Sequence, residues 1–579
     1  MELEKTGYVS IDRPHEKYHR QKPVREIPKN LTMYQIFNQL NENNPDYYAL
    51  GYMKHNYTYE KLQKDVDKLA DALTKIGVKE NDVVLVSLPT IPEAGKLLLA
   101  LSKVGAVSKW IDLRVKPEDL EHYINEHNCK HVFLFDILLK DIHQIINNTD
   151  IEKAVIVTPA ESLSKIEQLG YMLKSKREEG YYEFPNDKRF MKYKDVLKLG
   201  KDNIKEASFD KEKPTLIVQS SGTTGMAKSI VHTDYSVSES LKKFAYTDLP
   251  LEEKNRMLVV VPPWIAYGLI NTYYLSLALG MKAELKPQVD EKTVFDSLGT
   301  FDISFAAPLH YHYLAEKIAE IDDLKGLTFI TGGDKMTAED TSKLMKILAT
   351  KGFDGEILNG YGQNEVLGGS TVNPIKFNKP GTVGIPMHEN IVAAFDNDDH
   401  ELKFNEVGEL RTNTTTTFKE YANKEEETKR VKKTIDGKEW VCSGDLGFVD
   451  EDGFVHIEGR LVNVIYRRAF KVDPGTIESV VKSHPAVIDA LAVGVNDELD
   501  GEVPMVFMEI DKKFYDKVDE VNTQLQVICE SKLKEYEVPV YFEIIDEIPY
   551  TPNNKRDFKY LKKLGNEKLE GKKLTLKKN

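Results

Sequence analysis

The stretch TLIVQSSGTTGMAK, from Thr215 to Lys228, joins an apolar run to a loop rich in glycine and hydroxyl side chains. The apolar letters predict a buried strand. Gly222 and Gly225 permit backbone turns that a Cβ would prevent, and the amide groups of such a turn converge on an anion. Lys228 adds a positive charge, and hydroxyl donors come from Ser220, Ser221, Thr223 and Thr224. The stretch therefore predicts a loop for polyphosphate oxygens, although it lacks the P-loop spacing, and a plain polar turn is the alternative.

Apolar runs of the same kind recur along the chain, at DVVLVSLP, HVFLFD, KAVIVTP, RMLVVVPP and LTFITGG. Helical stretches separate most of them. The clearest lies in YTYEKLQKDVDKLADALTKIGV, where apolar side chains recur at steps of three and four, namely Leu62, Val66, Leu69, Leu73 and Ile76. Alternating strands and helices predict an α/β fold with mostly parallel sheets that are covered on both faces.

The chain divides unevenly into a large N-terminal unit, residues 1–460, and a smaller α+β unit, residues 461–579. Residues 161–213 are charge-rich and weakly periodic, which predicts a surface excursion. The two histidines of HYHY, His310 and His312, lie two residues apart, as on one face of a strand.

The composition indicates which kinds of partner and which cellular compartment are expected for this protein. The formal net charge of −14 argues against nonspecific nucleic-acid binding, which needs a basic surface. Three dispersed cysteines argue against a disulfide framework. The N-terminal sequence has no apolar signal core, and no apolar stretch is long enough to span a membrane. The sequence therefore predicts a cytoplasmic protein without an integral membrane segment.

The glycine–hydroxyl loop resembles the phosphate loop of the adenylate-forming superfamily, which includes acyl-CoA synthetases, luciferases and stand-alone adenylation enzymes. The family pattern is close to [ST]SG[ST]TGxPK, and Ala227 replaces its proline. The segment YANKEEETKR resembles the family's YxNxxEET segment, so the resemblance extends along nearly the whole chain. It implies a large N-terminal domain of several subdomains and a smaller, mobile C-terminal domain.

The resemblance also implies a site for ATP and Mg²⁺. Glu365, in LNGYGQNE, is the implied magnesium residue, and a carboxylate oxygen suits that hard cation. Tyr361 is expected against the adenine, and Asp445 is expected to accept hydrogen bonds from the ribose hydroxyls. Asn364 stands where the family has threonine. The full nucleotide set is Ser220, Ser221, Gly222, Thr223, Thr224, Gly225, Lys228, Gly332, Gly333, Asp334, Tyr361, Gly362, Asn364, Asp445 and Arg460.

Catalysis is assigned by resemblance to Lys555, Glu365 and Thr223. Lys555, in TPNNKRDF, maps to the lysine that bridges the carboxylate substrate and the α-phosphate. A fixed ammonium is needed there because one anion must approach another. Asn554 replaces the family glycine before this lysine, a mild departure since asparagine tolerates positive φ.

The acid and the thiol are expected at two further places. Trp264, Tyr267 and Gly268 correspond to the segment that lines the acyl pocket. Arg467, Arg468 and Lys471 form a basic cluster for CoA phosphates, with an exposed basic strand edge as an equal alternative. The hinge aspartate of the family is Val462 here, and a glycine beside the thioester channel is Ala469. Both departures bear on the second half-reaction more than on the first.

Three functions follow from these motifs. The first is an ATP-dependent acid–CoA ligase with ATP, Mg²⁺ and CoA, acting on a small-molecule carboxylic acid, for which Trp264 and Tyr267 favour a medium-sized apolar or aromatic acid over acetate. The second is a stand-alone adenylation enzyme that loads the phosphopantetheine of a carrier protein. The third is a nucleotide-binding protein with impaired turnover.

Overall fold

The computed structural model describes residues 5–177, 181–201, 204–220, 227–287, 290–334, 336–467, 470–497, 500–550 and 556–569. Four sheets organise these residues, two of them large and mainly parallel, which is the mixed α/β architecture expected from the alternating runs.

One large sheet carries the strand that leads into the phosphate loop. Its eight strands lie in the order Glu420–Tyr421, Ser229–Thr233, Pro214–Gln219, Val107–Trp110, Val83–Ser87, His131–Phe135, Lys153–Val157 and Phe190–Lys192. The six from Pro214–Gln219 onward are parallel. The first two are antiparallel additions, so the phosphate loop joins a parallel strand to an antiparallel partner.

The second large sheet carries Tyr361 and the turn of Gly332, Gly333 and Asp334, where the resemblance implies adenine and which we call the adenine turn. Its nine strands are Ile385–Pro386, Gly368–Val372, Ile357–Gln363, Thr328–Thr331, Ile303–Ala306, Arg256–Val259, Lys282–Leu285, Tyr48–Tyr52 and His55–Thr58. The centre is parallel and both edges end in antiparallel hairpins. A single core, which includes the fully buried Trp110 and Tyr274, packs against both large sheets.

A third, antiparallel sheet positions Asp445. It consists of Ile391–Phe395, Gly408–Asn413, Lys438–Val449, Lys432–Ile435 and Val455–Arg460. The fourth sheet belongs to the C-terminal part and consists of Phe470–Val472, Ile465–Arg467, Gly501–Ile510, Val487–Asp497 and Tyr541–Ile544. Strands on either side of residue 460 thus pair in different sheets, and a boundary between units at that residue stays a prediction.

The α-helices cover the sheet faces. They are Val9–Asp12, Met33–Asn41, Tyr59–Lys75, Pro92–Val104, Pro117–Glu126, Leu139–Ile145, Lys165–Ser175, Tyr193–Leu197, Asp234–Ala245, Ala266–Gly268, Leu275–Ala278, Pro308–Glu316, Ala338–Ala349, Glu425–Val431, Pro474–Lys482, Val518–Lys532 and Phe558–Leu569. In the helix Tyr59–Lys75 the predicted apolar stripe is buried throughout, and the Thr58 side chain caps its first turn. Among the described residues no helix is both long and apolar enough to cross a bilayer.

Two local predictions are wrong. The HYHY histidines lie on the helix Pro308–Glu316, not on a strand, because Pro308 begins that helix at its first position. Residues 161–213 are more than a surface excursion: Phe190–Lys192 forms the edge strand of the eight-stranded sheet, and Tyr193 after it is 1% exposed.

Candidate active site

The two ends of the phosphate loop are fastened to each other. The Ser220 amide donates to the Lys228 carbonyl at 2.9 Å, and the Lys228 amide donates to the Ser220 hydroxyl at 2.9 Å. Predicted loop residues Ser221, Gly222, Thr223, Thr224 and Gly225 lie outside the described part of the chain. These two hydrogen bonds therefore fix where the loop begins and ends, and they place Lys228 where the chain leaves the loop.

The predicted magnesium residue sits in a turn, residues 364–367, that we call the acidic turn. Each of its carbonyls accepts a hydrogen bond from a residue distant in the chain: Asn364 from His232 Nε2, Glu365 from the Phe418 amide, Val366 from the Thr416 hydroxyl and Leu367 from Asn271 Nδ2. Just before the turn, a Cβ built on Gly362 would lie 1.9 Å from the Gly368 carbonyl oxygen. The backbone of Glu365 is thus held in position by hydrogen bonds from surrounding side chains and from the Phe418 amide.

Two buried basic side chains support the acidic turn from behind. Lys243 donates to the Thr416 hydroxyl at 2.9 Å and to the Val366 carbonyl at 3.4 Å. Burial lowers the pKa of Lys243 to about 7. Burial also lowers the pKa of His232 to about 3, so its imidazole is neutral where it donates to Asn364. The sequence alone did not mark either residue.

The side chain of Asn364 has backbone partners on both sides. Its Nδ2 donates to the Gln219 carbonyl at 2.7 Å, and its Oδ1 accepts from the Ala266 amide at 3.0 Å. The carboxamide thereby ties the phosphate-loop strand to the acyl-pocket segment. The Nδ2 group has a second hydrogen, so the nucleotide-binding role assigned to Asn364 by resemblance stays a prediction.

Tyr421 and Glu427 complete the surroundings of Glu365 and Lys228. The Tyr421 hydroxyl donates to Glu365 Oε1 at 2.8 Å. Lys228 Nζ lies 2.5 Å from Glu427 Oε2 and 4.7 Å from the centre of the Tyr421 ring. Burial raises the pKa of Tyr421, and the Glu365 carboxylate raises it further, so the phenol stays a donor. Tyr421 and Glu427 both belong to the YANKEEET segment. The sequence marks this segment by its resemblance to the family but assigns no role to either residue.

Asp445 is the centre of a second polar group. It is 4% exposed, its Oδ2 accepts from the Tyr361 hydroxyl at 2.6 Å, and its Oδ1 lies 2.7 Å from Arg460 Nε. Burial, with the Asp445 charge, raises the pKa of Tyr361 well above its usual value. The structure therefore brings together three residues that the sequence assigned to adenine and ribose.

The adenine turn lies close to the segment that the sequence assigns to the acyl pocket. Gly332 and Gly333 follow the strand Thr328–Thr331, and Gly333 has a φ of +89° that favours glycine. A Cβ built on Gly332 would lie 3.6 Å from the Tyr267 hydroxyl, which is buried and has no hydrogen-bond partner among the residues that the structure describes. Tyr267 packs edge-on against Phe305, and Trp264 lies beside the Arg114 guanidinium. Gly268 is buried after them.

The predicted CoA cluster is not a surface cluster at Arg467. This side chain is 5% exposed, its Nε lies 2.9 Å from the buried Asp500, and its Nη1 lies 3.4 Å from the carbonyls of Glu535, Tyr536 and Val538. The Arg467 guanidinium is thus bound by partners that lie between residues 500 and 538. A buried guanidinium with these partners fits neither a ligand of CoA phosphates nor an exposed strand edge. Arg468 and the side chain of Lys471 lie outside the described residues.

Lys555 also lies outside the described residues, but its neighbour Arg556 is described and is held by two carboxylates. Arg556 Nη2 donates to both carboxylate oxygens of Asp489 at 3.0 Å, and its Nη1 lies 3.5 Å from Glu478. Burial lowers the pKa of Arg556, but Asp489, Glu478 and Asp334 together raise it above its usual value. The charge of Asp334, in the adenine turn, is thus one of the causes that raise the pKa of Arg556.

Comparison with known families agrees with this arrangement. The model of the family described as AMP-binding enzyme matches residues 37–422, which is more than half of the chain. The chain belongs to the AMP-binding enzyme family. The family's C-terminal domain model matches residues 476–555. The predicted resemblance to the adenylate-forming superfamily is confirmed.

Curated relatives in the AMP-binding enzyme family span nearly the same length. A long-chain-fatty-acid–CoA ligase of Bacillus subtilis is 24% identical over 91% of this chain and 93% of its own. The long-chain-fatty-acid–CoA ligase FadD13 of Mycobacterium tuberculosis is 26% identical over 86% and 91%. A luciferin 4-monooxygenase of Photuris pensylvanica is 24% identical over 89% and 91%.

Solved structures show the same fold. The ATP-bound MatB of Rhodopseudomonas palustris superposes with a TM-score of 0.78 at 19% identity, covering 93% of this chain and 99% of its own. The anthranilate CoA ligase AuaEII in complex with anthranoyl-AMP gives 0.77 at 20% identity, covering 94% and 99%. The predicted fold class is confirmed.

Proposed function

We propose that this AMP-binding enzyme is an ATP-dependent acid–CoA ligase. In the first half-reaction a carboxylate oxygen attacks the α-phosphorus of ATP, the bond to the β-phosphate oxygen breaks, and acyl-AMP and pyrophosphate form. In the second, the CoA sulfur attacks the acyl carbon, AMP leaves, and the thiol proton is released. Family membership and the relatives named as CoA ligases support this principal prediction from the sequence.

The observation that carries the proposal is the convergence of three motifs on one strand and turn. The segment 357–367 places Tyr361 on Asp445 and Glu365 on the Tyr421 hydroxyl. The ammonium of the phosphate-loop residue Lys228 lies 4.7 Å from the centre of the same Tyr421 ring. An ATP molecule with its ribose on Asp445 and its triphosphate at Lys228 fits this arrangement, because each end meets the chemistry that it needs.

The chain's own residues supply most of the charge. Lys228 would donate to phosphate oxygens, and we assign Lys555 to the region between the carboxylate and the α-phosphate, where two anions meet. The Glu365 carboxylate fits Mg²⁺, which typically binds one or two protein carboxylates together with substrate phosphates. When bound there, the metal would offset triphosphate charge.

The pocket residues favour an apolar acid. Trp264 and Tyr267 present broad apolar surface, and the relatives are named for long-chain fatty acids and 4-coumarate. We therefore propose a medium-sized apolar or aromatic acid, with a role in fatty acid metabolism and a cytoplasmic location. The acceptor is supported less directly, because Arg467 is buried and one relative is named as a luciferin monooxygenase.

The test is pyrophosphate release across a panel of carboxylic acids graded in length and aromaticity. We expect release with apolar acids, and loss of about 10²-fold in Lys555→Ala, the scale of one preorganised electrostatic partner. The matched control is Lys559→Ala, an exposed lysine on the next helix. Silence across the panel would favour a binding-only protein, and thioester formation with a purified carrier protein but not with free CoA would favour the carrier-loading alternative.

A further inference from the structure

One short segment contacts both groups that are expected to face the triphosphate. The segment runs from the strand Glu420–Tyr421 into the helix Glu425–Val431, and we call it the bracing segment. Its Tyr421 hydroxyl holds Glu365 at 2.8 Å, and its Glu427 holds Lys228 at 2.5 Å. The Tyr421 ring also lies under the Lys228 ammonium. A continuous chain of contacts thus runs from Glu365 to Glu427.

The bracing segment is itself firmly held. Tyr421 is 4% exposed and pairs with Ile230 on the strand that follows the phosphate loop. Its amide donates to the Thr428 hydroxyl at 3.0 Å, which ties the strand to the helix. The segment therefore keeps a fixed position relative to the phosphate loop.

A lysine ammonium needs such a support more than an arginine does. It is a point charge on a flexible four-carbon stem, and its orientation costs side-chain entropy. With three donors it can keep a bond to Glu427 and still donate to a phosphate oxygen. Lys424 lies 3.6 Å from Glu427 and shares its charge. Hydrogen bonding from Lys228 lowers the pKa of Glu427, so the carboxylate is ionised at neutral pH.

We propose that Tyr421 and Glu427 are positioning residues of the adenylation site, Tyr421 for the Glu365 carboxylate and Glu427 for the Lys228 ammonium. This inference rests on the proposed function, since it needs ATP at Lys228. It goes beyond that function by assigning roles to two residues that touch neither reacting atom.

The test is equilibrium binding of a non-hydrolysable ATP analogue, by calorimetry, with Mg²⁺ and with a chelator. Glu427→Gln should weaken binding about threefold to fivefold in both conditions, the scale of a partly exposed ion pair. Tyr421→Phe should weaken binding about tenfold with Mg²⁺ only, the scale of a hydrogen bond to a charged group. The control is Glu426→Gln, since Glu426 is 85% exposed and pairs with Lys429.

A double-mutant cycle separates positioning from a general structural effect. In a Lys228→Ala background, Glu427→Gln should have no further effect on analogue binding, and Glu427→Asp should restore part of the loss in the native background. Tighter binding by Glu427→Gln would overturn the inference and make Glu427 a competitor of the phosphates. If the native protein binds no analogue at all, the proposed function fails; native binding with unaffected variants refutes only the positioning roles.

Discussion

The hydroxyl of Tyr361 donates a 2.6 Å hydrogen bond to a carboxylate oxygen of Asp445, which lies 84 residues later in the chain. Arg460 engages the other oxygen. Each carboxylate oxygen can accept a second hydrogen bond, so Asp445 can keep both protein partners while it accepts from two ribose hydroxyls. The contact joins the nine-stranded sheet to the antiparallel sheet at the point where ATP is expected.

Removing the charge of Asp445 should weaken ATP binding selectively. We expect Asp445→Asn to raise the KM for ATP about tenfold or more, because a hydrogen bond to a charged group is worth about 1.5–3 kcal/mol. The KM for the acid should change little. Steady-state pyrophosphate release gives both constants, and Asp452→Asn, at a 61% exposed side chain, is the control. Equal effects on both KM values would contradict a ribose role.

The buried pair Arg467–Asp500 should contribute to stability and not to CoA binding. Asp500→Ala leaves a buried guanidinium without its carboxylate, so we expect the free energy of unfolding to fall by about 3–5 kcal/mol. Glu339→Ala, in the exposed pair with Lys343, should cost less than about 1 kcal/mol. Urea unfolding measures both. An Arg467→Lys protein that folds but shows a raised KM for CoA would restore the original prediction.

The buried Lys243 should make stability depend on pH. Its native pKa of about 7 lies below the ordinary 10.5, so between these values the unfolded chain binds a proton that the native protein does not. Stability therefore rises with pH across this window, by at most about 1.4 kcal/mol per pH unit. From pH 7 to 10, we expect the unfolding free energy of the native protein to increase relative to that of the Lys243→Met variant. Parallel curves would show that Lys243 does not titrate there.

The clamp on Arg556 should matter for adenylation. Because both carboxylate oxygens of Asp489 accept from Nη2 of Arg556, the residue next to Lys555, Asp489→Asn should lower kcat for pyrophosphate release about tenfold, the scale of one lost charge-assisted bond. Thioester formation from preformed acyl-adenylate should be nearly unchanged. Lys563→Ala, at a 77% exposed side chain on the same C-terminal unit, is the control. Equal losses in both steps would indicate a general defect of the unit.

The departure at Ala469 gives a prediction for the second step. Ala469 lies outside the described residues and replaces a glycine that the family has beside the thiol channel. Ala469→Gly should leave pyrophosphate release unchanged and alter only thioester formation, measured with CoA and with a carrier protein. An equal change in adenylation would show that position 469 does not belong to the thiol channel.

The parts of the fold that the sequence predicts are those with a strong local signal. The stripe from Leu62 to Leu73 predicts its helix because each side chain faces the same core. The spacing of two in HYHY suits a strand face, but Pro308 begins a helix there, and a two-residue spacing alone does not distinguish the two structures. The edge strand Phe190–Lys192 was missed because it is short and surrounded by charged residues.

The site divides in the same way. The sequence predicts three residues of the site from motifs whose residue types indicate their chemistry, namely Glu365, Asp445 and Lys228. Their partners are not predicted in this way: the Tyr421–Glu365 contact spans 56 residues and the His232–Asn364 contact spans 132. Arg467 has the composition of a phosphate ligand, and only strand pairing with Gly501 shows that it faces Asp500. Long-range pairing of this kind leaves no periodicity for the sequence to display.

Gly362 shows how a site can restrict evolutionary drift at a solvent-exposed position. Exposed residues usually accept many replacements, yet a methyl group here would meet the Gly368 carbonyl oxygen at 1.9 Å. In a saturation library this codon would be nearly as intolerant as those for the catalytic groups, although glycine performs no chemistry. The intolerance of Gly362 to substitution would result from the geometry of the hairpin. An activity screen that ranked residues by intolerance alone would therefore mistake this glycine for a catalytic residue.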